Sequence, residues 1–222
     1  LAITVVVNQL PTFNITPNPA ETCQGIPIGL NANPSGGTGT LTSIWTGDIA
    51  DLDDPNIATP TLNAANAGTF NLTYTVTDSK NCSASATITV VVNPKPIVSP
   101  NPNLSVCTGQ TITVNGNPAG GTPAYTHIWT GDVTNLSATN LSNPSFNAVA
   151  PGTYNLIYTI IDAEGCVATA PVTITVADLI DPVLSNPPSF CTADPAFDLT
   201  VSSDPNYPGT WTGAGVSGNT FN

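Results

Sequence analysis

Four cysteines occur in two pairs that have identical spacing. Cys23 and Cys82 are as far apart along the chain as Cys107 and Cys166. Thiols paired in this way form disulfides in an oxidising compartment or contribute ligands to a zinc site. Zinc requires four ligands, whereas each pair has only two cysteines and no histidine nearby. Disulfides are therefore the favoured chemistry, and Cys191 remains without a partner in this pattern.

One acidic cluster has the oxygen-rich composition of a calcium site. Asp48, Asp51, Asp53 and Asp54 lie in one short stretch, and Ca²⁺ prefers oxygen ligands. The stretch with the same place relative to the second cysteine pair keeps only the first aspartate, Asp132. We therefore interpret the cluster as a solvated turn, with calcium at Asp48, Asp51 and Asp53 as the alternative for this one unit. No other cofactor is expected.

The residue types needed for catalysis are sparse. His127 is the only histidine, and Ser43 occupies the equivalent position relative to the first cysteine pair. A nucleophile requires a base and an orienting group, and no motif in the sequence supplies that combination. The two glutamates, Glu21 and Glu164, fall at a joint and in a turn, which does not suggest a pair of catalytic carboxylates. We do not expect an enzyme.

A long internal repeat contains all of these residues. The sequence Ile-Trp-Thr-Gly-Asp at residues 44–48 returns unchanged at 128–132 and returns as Trp-Thr-Gly at 211–213. Residues 23–82 and 107–166 align without a gap and are identical at 28 of 60 positions. Because the identities are concentrated at residue types found in turns and cores, the repeat indicates a duplicated fold rather than a duplicated site.

The tryptophan of this motif has two interpretations. Trp45, Trp129 and Trp211 could present flat surfaces for stacking on sugars, or they could pack between two sheets as in immunoglobulin-like domains. Their recurrence at one register in every unit favours the core position. Tyr74 and Tyr158 are predicted to lie in the same core.

Alternating residues predict strands throughout the chain. Residues 70–77 alternate apolar and polar side chains at every step, which is the pattern of a strand with one buried face. Asp78 and Asp162 follow such strands, and we expect their carboxylates to bind the backbone two residues further on. Pro171 suggests a bulge or an edge in the last strand of the second unit. No window has helical spacing, so the sequence predicts an all-β sandwich.

The charge balance excludes several partners. The 222 residues include two Lys, no Arg and 14 acidic residues, and the formal net charge is −12. Binding of nucleic acid requires clustered Lys and Arg, and an anionic membrane surface is disfavoured for the same reason. The apolar stretches are also too short to cross a bilayer.

The order of motifs resembles that of a known repeat type. A cysteine is followed by Gly-Gly, Trp-Thr-Gly-Asp, Gly-Thr with an aromatic residue, Tyr-Thr with Val or Ile, an aspartate and a second cysteine. This order resembles PKD-like, immunoglobulin-like repeats in long surface proteins of Bacteroidota, including SprB-type gliding adhesins and cargo of the type IX secretion system. The resemblance implies tandem Ig-like β-sandwiches of about seven strands in an extended array, an extracellular or cell-surface location, and a role in spanning distance or attachment.

The repeat also predicts the division of the chain. We expect residues 1–10 to be the last strand of an upstream repeat, 11–95 and 96–181 to be two complete repeats, and 182–222 to be the beginning of a third. The sequence is then a window from a longer chain. In an oxidising compartment each complete repeat is expected to contain one disulfide, Cys23 with Cys82 or Cys107 with Cys166. Proline-rich joints predict semi-rigid connections between the repeats.

Two functions remain open from the sequence. The first is a structural segment of a cell-surface stalk, adhesin or filament that supports attachment or gliding. The second is an array of carbohydrate-binding or surface-binding modules attached to a secreted protein. The expected partners are neighbouring repeats of the same chain, other copies in a filament and surface glycans. Exchange of the terminal strands between copies is a less favoured variant of the first function.

Overall fold

A computed structural model describes residues 3–178 and three short strands beyond them. The first repeat contains eight strands, β1 to β8: Pro11–Thr12, Ala20–Cys23, Ile28–Gly29, Ser35–Gly36, Thr42–Gly47, Thr61–Leu62, Gly68–Thr77 and Ser83–Asn93. The second contains the equivalent eight, β9 to β16: Pro96–Val98, Asn103–Cys107, Thr111–Thr113, Pro118–Gly120, Thr126–Gly131, Ser145–Asn147, Gly152–Ile161 and Val167–Ala177.

Short elements complete the described structure. Two 3₁₀ turns, Ile49–Asp51 and Val133–Asn135, follow the tryptophan strands. Beyond the second repeat, β17 (Phe197–Asp198), β18 (Val216–Ser217) and β19 (Thr220–Phe221) form a small antiparallel sheet in the order β17-β19-β18. Cys191 and Trp211, which we assigned to a third unit, lie outside the described residues.

Each repeat is an Ig-like β-sandwich. One layer is a four-stranded sheet in the order β2-β8-β7-β5, repeated as β10-β16-β15-β13. The pairs β2–β8 and β10–β16 are parallel and the others are antiparallel. The opposite layer consists of the pairs β1–β4 and β3–β6, repeated as β9–β12 and β11–β14. This is the all-β architecture that the alternating pattern predicted.

The long hairpin of each repeat supplies much of its core. In β7 the residues Leu72, Tyr74 and Val76 are fully buried, and the threonines between them face outward. The neighbouring β8 buries Ile88 and Val90 against the same core. A period of two therefore places every second side chain between the layers, as expected for a sheet with one buried face.

The last strand of the second repeat contains no bulge. In β16, Val172 pairs with Leu156 just as Ile88 pairs with Leu72 in the first repeat, and the pairing is continuous on both sides of Pro171. The predicted bulge is therefore wrong. Pro171 does lie at an edge, because β10 pairs with β16 only from Thr173 onward.

Residues 3–10 form no strand in this structure. Among them Ile3, Val5, Val6 and Val7 are exposed, so the apolar segment that we predicted as a strand pairs with no described part of the chain.

Candidate functional site: the joint between the repeats

The disulfide predicted within the first repeat cannot form. Cys23 is the last residue of β2 and lies opposite Asn93, the last residue of β8. Cys82 immediately precedes Ser83, the first residue of β8. An extended strand of this length spans about 30 Å, whereas the Cα atoms of bonded cysteines lie within about 7 Å of each other. The two thiols therefore lie at opposite poles of one sandwich.

The structure instead places a disulfide between the two repeats. Cys23 is bonded to Cys166, with a Cα–Cα distance of 5.6 Å. Cys107 lies opposite Ala177 at the end of β16, so it is separated from Cys166 by the length of that strand. Within the described residues Cys82 and Cys107 have no disulfide partner. Our predicted pairings within repeats are wrong because each repeat has one cysteine at each pole, and neighbouring repeats meet pole to pole.

A buried carboxylate holds the turn that presents Cys166. Asp162 is 5% exposed, and its Oδ1 accepts hydrogen bonds from the backbone N–H groups of Glu164 and Cys166 at 3.0 and 2.8 Å. Its Oδ2 accepts the N–H of Thr122 at 2.9 Å. The predicted bond two residues further on is confirmed. The bond to Thr122, in the Gly-Gly loop, was not predicted, because it joins residues 40 positions apart.

The same loop packs on the linker between the repeats. Gly120 pairs with Pro96 at the start of the second repeat. Gly121 has a φ of +61°, and a Cβ there would lie 2.6 Å from the Asp162 Oδ2 and 3.0 Å from the Pro96 ring. Only glycine allows this conformation and this close approach. Linker, loop and turn therefore form one packed unit that positions Cys166.

The first repeat contains the same unit around Asp78. The Asp78 Oδ1 accepts the N–H groups of Lys80 and Cys82 at 2.8 and 2.9 Å, and Oδ2 accepts the N–H of Thr38 at 2.8 Å. Burial by itself raises the pKa of the Asp78 carboxyl, but these N–H donors outweigh burial, so the pKa lies below its ordinary value. Gly37 is the counterpart of Gly121, with a φ of +66°.

A cleft of about 410 Å³ lies beside the disulfide. Its lining comes from both repeats and the linker and comprises Glu21, Thr22, Cys23, Ile26, Asn93, Lys95, Glu164, Gly165 and Val167. The two glutamates of the sequence and one of its two lysines thus line the same cleft. The lining contains no hydroxyl with a neighbouring histidine, so it offers no activated nucleophile of the serine–histidine type.

The two tryptophans in the described residues are core residues. Trp45 and Trp129 are 1% and 2% exposed, and their Nε1 atoms donate hydrogen bonds to the carbonyls of Ile57 and Leu141 at 2.9 and 2.8 Å. Their rings lie against tyrosines that are also fully buried, Tyr74 at 4.9 Å and Tyr158 at 4.5 Å. Neither ring has a free face for stacking on a sugar.

His127 is the hydrogen-bond partner of one of these tyrosines. Its Nδ1 lies 2.7 Å from the Tyr158 hydroxyl, and in the first repeat Ser43 Oγ lies 2.7 Å from the Tyr74 hydroxyl. Burial raises the pKa of Tyr158 to about 12. The histidine therefore replaces a serine as hydrogen-bond partner of a core tyrosine.

Two of the three calcium candidates, Asp48 and Asp53, bind backbone groups. Asp48 Oδ2 accepts the N–H of Asn71 at 2.8 Å, which links the Trp-Thr-Gly-Asp turn to β7. Asp53 Oδ1 accepts the N–H groups of Asp54 and Thr61, and the bond from Thr61 is the main reason that the Asp53 pKa is lowered. Asp51 lies in the first 3₁₀ turn. No three His, Cys, Asp or Glu side chains in the described part of the chain are grouped to hold a metal ion.

Comparisons with known proteins give structural matches only. No family model and no curated protein matches the chain. Among solved structures, the I-band fragment I67–I69 from titin is 15% identical, with a TM-score of 0.46 over 90% of this chain and 77% of that chain. The eight N-terminal Ig domains of Down syndrome cell adhesion molecule are 18% identical, with a TM-score of 0.41 over 76% of this chain and 25% of that chain. These similarities are to tandem Ig domains.

The insect immune protein hemolin gives a third match. It is 13% identical, with a TM-score of 0.39 over 72% of this chain and 44% of that chain. The chain thus spans less than half of the hemolin and cell adhesion molecule structures. No helix in the described residues is long and apolar enough to cross a membrane.

Proposed function

We propose that the chain is a structural segment of a repetitive extracellular protein, a cell-surface stalk, adhesin or filament that spans distance and supports attachment. The observation that carries this proposal is the bond between Cys23 and Cys166. A disulfide between consecutive sandwiches adds little to either core, but it limits how the two repeats can bend about their linker.

The linker supports the same role. Domains joined by a short linker with a small interface usually move relative to each other. Here Pro94 and Pro96 restrict the backbone, the first strand of the second repeat starts at Pro96, and the disulfide provides a second covalent connection. Two connections at separate points resist bending and twisting better than one.

The location and the partners follow from the same chemistry. Disulfides persist in oxidising compartments, which supports an extracellular protein. With two lysines and a net charge of −12, the repeats have little attraction for anionic surfaces, so the neighbouring repeats are the main partners. The motif order resembles SprB-type repeats of Bacteroidota, and we propose surface attachment or gliding as the setting.

Small-angle scattering tests the structural role. We expect the oxidised chain to give an elongated profile, and the double variant Cys23→Ser/Cys166→Ser to give a broader distance distribution because the joint is released. The matched control, Cys82→Ser/Cys107→Ser, removes the same number of thiols without breaking this joint and should scatter like the native chain. A compact profile, or equal profiles for all three proteins, would contradict the proposal.

The outer face of the first repeat supports one alternative. Thr73, Thr75, Thr87 and Thr89 lie on the outward side of β7 and β8, and the hydroxyls of Thr73 and Thr87 lie 3.1 Å apart. A row of hydroxyls could bind glycans or another polar surface. Binding on a glycan array that the Thr87→Ala/Thr89→Ala variant loses would support this second function.

A further inference from the structure

The first part of β8 has one backbone edge that no described strand covers. On one side, β7 pairs with β8 from its first residue onward. On the other side, β2 pairs with β8 only from Val90 to Asn93. Among the described strands, Ser83–Thr87 therefore has a partner on one side only.

The backbone groups of this segment point toward the uncovered side. The carbonyl of Asn93 accepts the N–H of Gln24, which follows β2, at 2.8 Å, so the backbone groups of Asn93 point away from β7. Alternate residues of a strand direct their N–H and C=O groups to the same side. The groups of Ser83, Ser85 and Thr87 consequently point away from β7 as well. We call this segment, residues 83–87, the open edge.

The open edge lacks the features that usually protect such a strand. Edges are commonly blocked by proline, by charged side chains or by a bulge. The open edge contains only serine, alanine and threonine, and its pairing with β7 is continuous. The second repeat has Pro171 at the position of Thr87. Two residues further on, the N–H of Thr173 donates to the carbonyl of Pro102 at 2.9 Å, so Pro171 lacks an N–H on the corresponding edge.

A neighbouring repeat does not cover this edge. In the second repeat, the first repeat lies at the pole where β16 begins, yet Thr169 and Pro171 remain exposed. Their counterparts in the open edge, Ser85 and Thr87, are exposed too. The open edge is therefore accessible from the side of an array, where another molecule can approach.

We propose that the open edges of two copies of this chain pair with each other about a twofold axis near Ser85. A twofold axis places identical strands antiparallel, and in this orientation each edge supplies N–H donors for the carbonyls of the other. The two four-stranded sheets of the first repeats then form one continuous sheet. The small side chains allow close approach, and the absence of charge in the open edge avoids repulsion there.

The charges at the two ends of the open edge favour a second copy as the partner. Lys80 lies in the turn just before it, and Glu21 lies on β2 opposite Val91, just beyond its other end. Antiparallel pairing brings the lysine end of each copy to the glutamate end of the other, so opposite charges attract twice. In the second repeat Glu164 and Ser105 occupy these positions. Its edge therefore lacks the charge pair and also contains a proline.

Sedimentation equilibrium of the full chain, with its free thiols capped by iodoacetamide, tests the proposal. We expect a reversible dimer of twice the 22.6 kDa chain mass. Thr87→Pro introduces the proline of the second repeat and should raise the dissociation constant at least about tenfold, because each copy loses a donor and gains a ring at the interface. Thr87→Ala is the matched control. It keeps the N–H, and its dissociation constant should stay within about threefold of the native value.

Hydrogen exchange of the native chain provides a second measurement that needs no variant. The amides of Ser85 and Thr87 should exchange more slowly as the protein concentration rises, because pairing gives them acceptors. Thr169 has the place of Ser85 in the second repeat, and its amide should exchange at the same rate at every concentration.

The other outcomes overturn the proposal. A native chain that stays monomeric up to about 1 mM would show that the edges do not pair. A dimer that Thr87→Pro leaves intact, or that Thr87→Ala weakens equally, would show that the backbone of the open edge is not the interface. Equal protection of Thr169 would have the same meaning. Circular dichroism checks that the variants are folded.

The inference extends the proposed structural role to lateral assembly. Its failure would leave the scattering comparison above unaffected, because that comparison is made on dilute, monomeric protein.

Discussion

The Asp162 carboxylate accepts the backbone N–H of Cys166 at 2.8 Å, so the group that orders the hairpin turn also positions the sulfur that joins the repeats. Through its other oxygen the same side chain holds Thr122, next to the glycine that packs on the linker. Local turn chemistry and the connection between domains thus depend on one buried residue.

Gly121→Ala should destabilise the second repeat and weaken the joint. A side chain at this positive φ costs about 1–2 kcal/mol, and overlap with Asp162 and Pro96 adds about 1–3 kcal/mol. Urea unfolding should show a loss of stability equal to the sum of these two costs. Dithiothreitol should also reduce the Cys23–Cys166 bond faster than in the native chain. Gly165→Ala is the matched control, because Gly165 has a φ of +78° with nothing within 4 Å. Equal losses in the two variants would refute the packing role.

Asp78→Asn should change the pH dependence of stability. The Asp78 pKa is lower in the folded chain than its ordinary 3.8, so its contribution is complete above the unfolded-state pKa and is lost as the pH falls through the folded value. The native chain should therefore be more stable than the variant at pH 7, and the difference should shrink below about pH 4. The urea midpoints of both proteins at pH 7 and below about pH 4 measure this difference in stability. A difference in stability that does not change with pH would contradict a stabilising role of the ionised Asp78 carboxylate.

His127→Ser should be tolerated, whereas His127→Ala should not. Serine occupies this position in the first repeat and bonds to the equivalent tyrosine, so we expect a change within about 1 kcal/mol. Alanine leaves the buried Tyr158 hydroxyl without its partner, which costs about 1–3 kcal/mol. Adding Tyr158→Phe to the alanine variant should recover part of the loss. Thermal unfolding distinguishes these cases, and equal effects of serine and alanine would exclude the hydrogen bond as the cause.

Trp45→Ala should destabilise the first repeat by about 3–5 kcal/mol, because the ring is fully buried and bonded to Ile57. Ile44→Ala is the matched control. Its side chain is 45% exposed on the opposite face of the same strand, and we expect a change of about 0.5 kcal/mol. Chemical unfolding measures both. A loss of glycan binding with unchanged stability in Trp45→Ala would restore the sugar-stacking interpretation.

Much of the fold was predictable because it depends on short-range patterns. Alternation in residues 70–77 shows which side chains face the core, and the buried Tyr74 and Val76 agree with it. The turn bonds of Asp78 were predictable for the same reason, since donor and acceptor are two residues apart. The bond that the same carboxylate accepts from the Thr38 N–H was not predictable, because the two residues are 40 positions apart and three strands lie between them.

The sequence by itself determined the repeat, the all-β class, the strand faces and the presence of one cysteine pair in each unit. Only the tertiary structure decided which cysteines bond. Spacing measures separation along the chain, and the equal intervals within the two pairs suggested bonds within each repeat. In space the parallel register of β2 with β8 carries Cys23 to the pole opposite Cys82, and the linker then brings that pole to Cys166. The bonding pattern follows from strand register and repeat order, which sequence spacing does not contain.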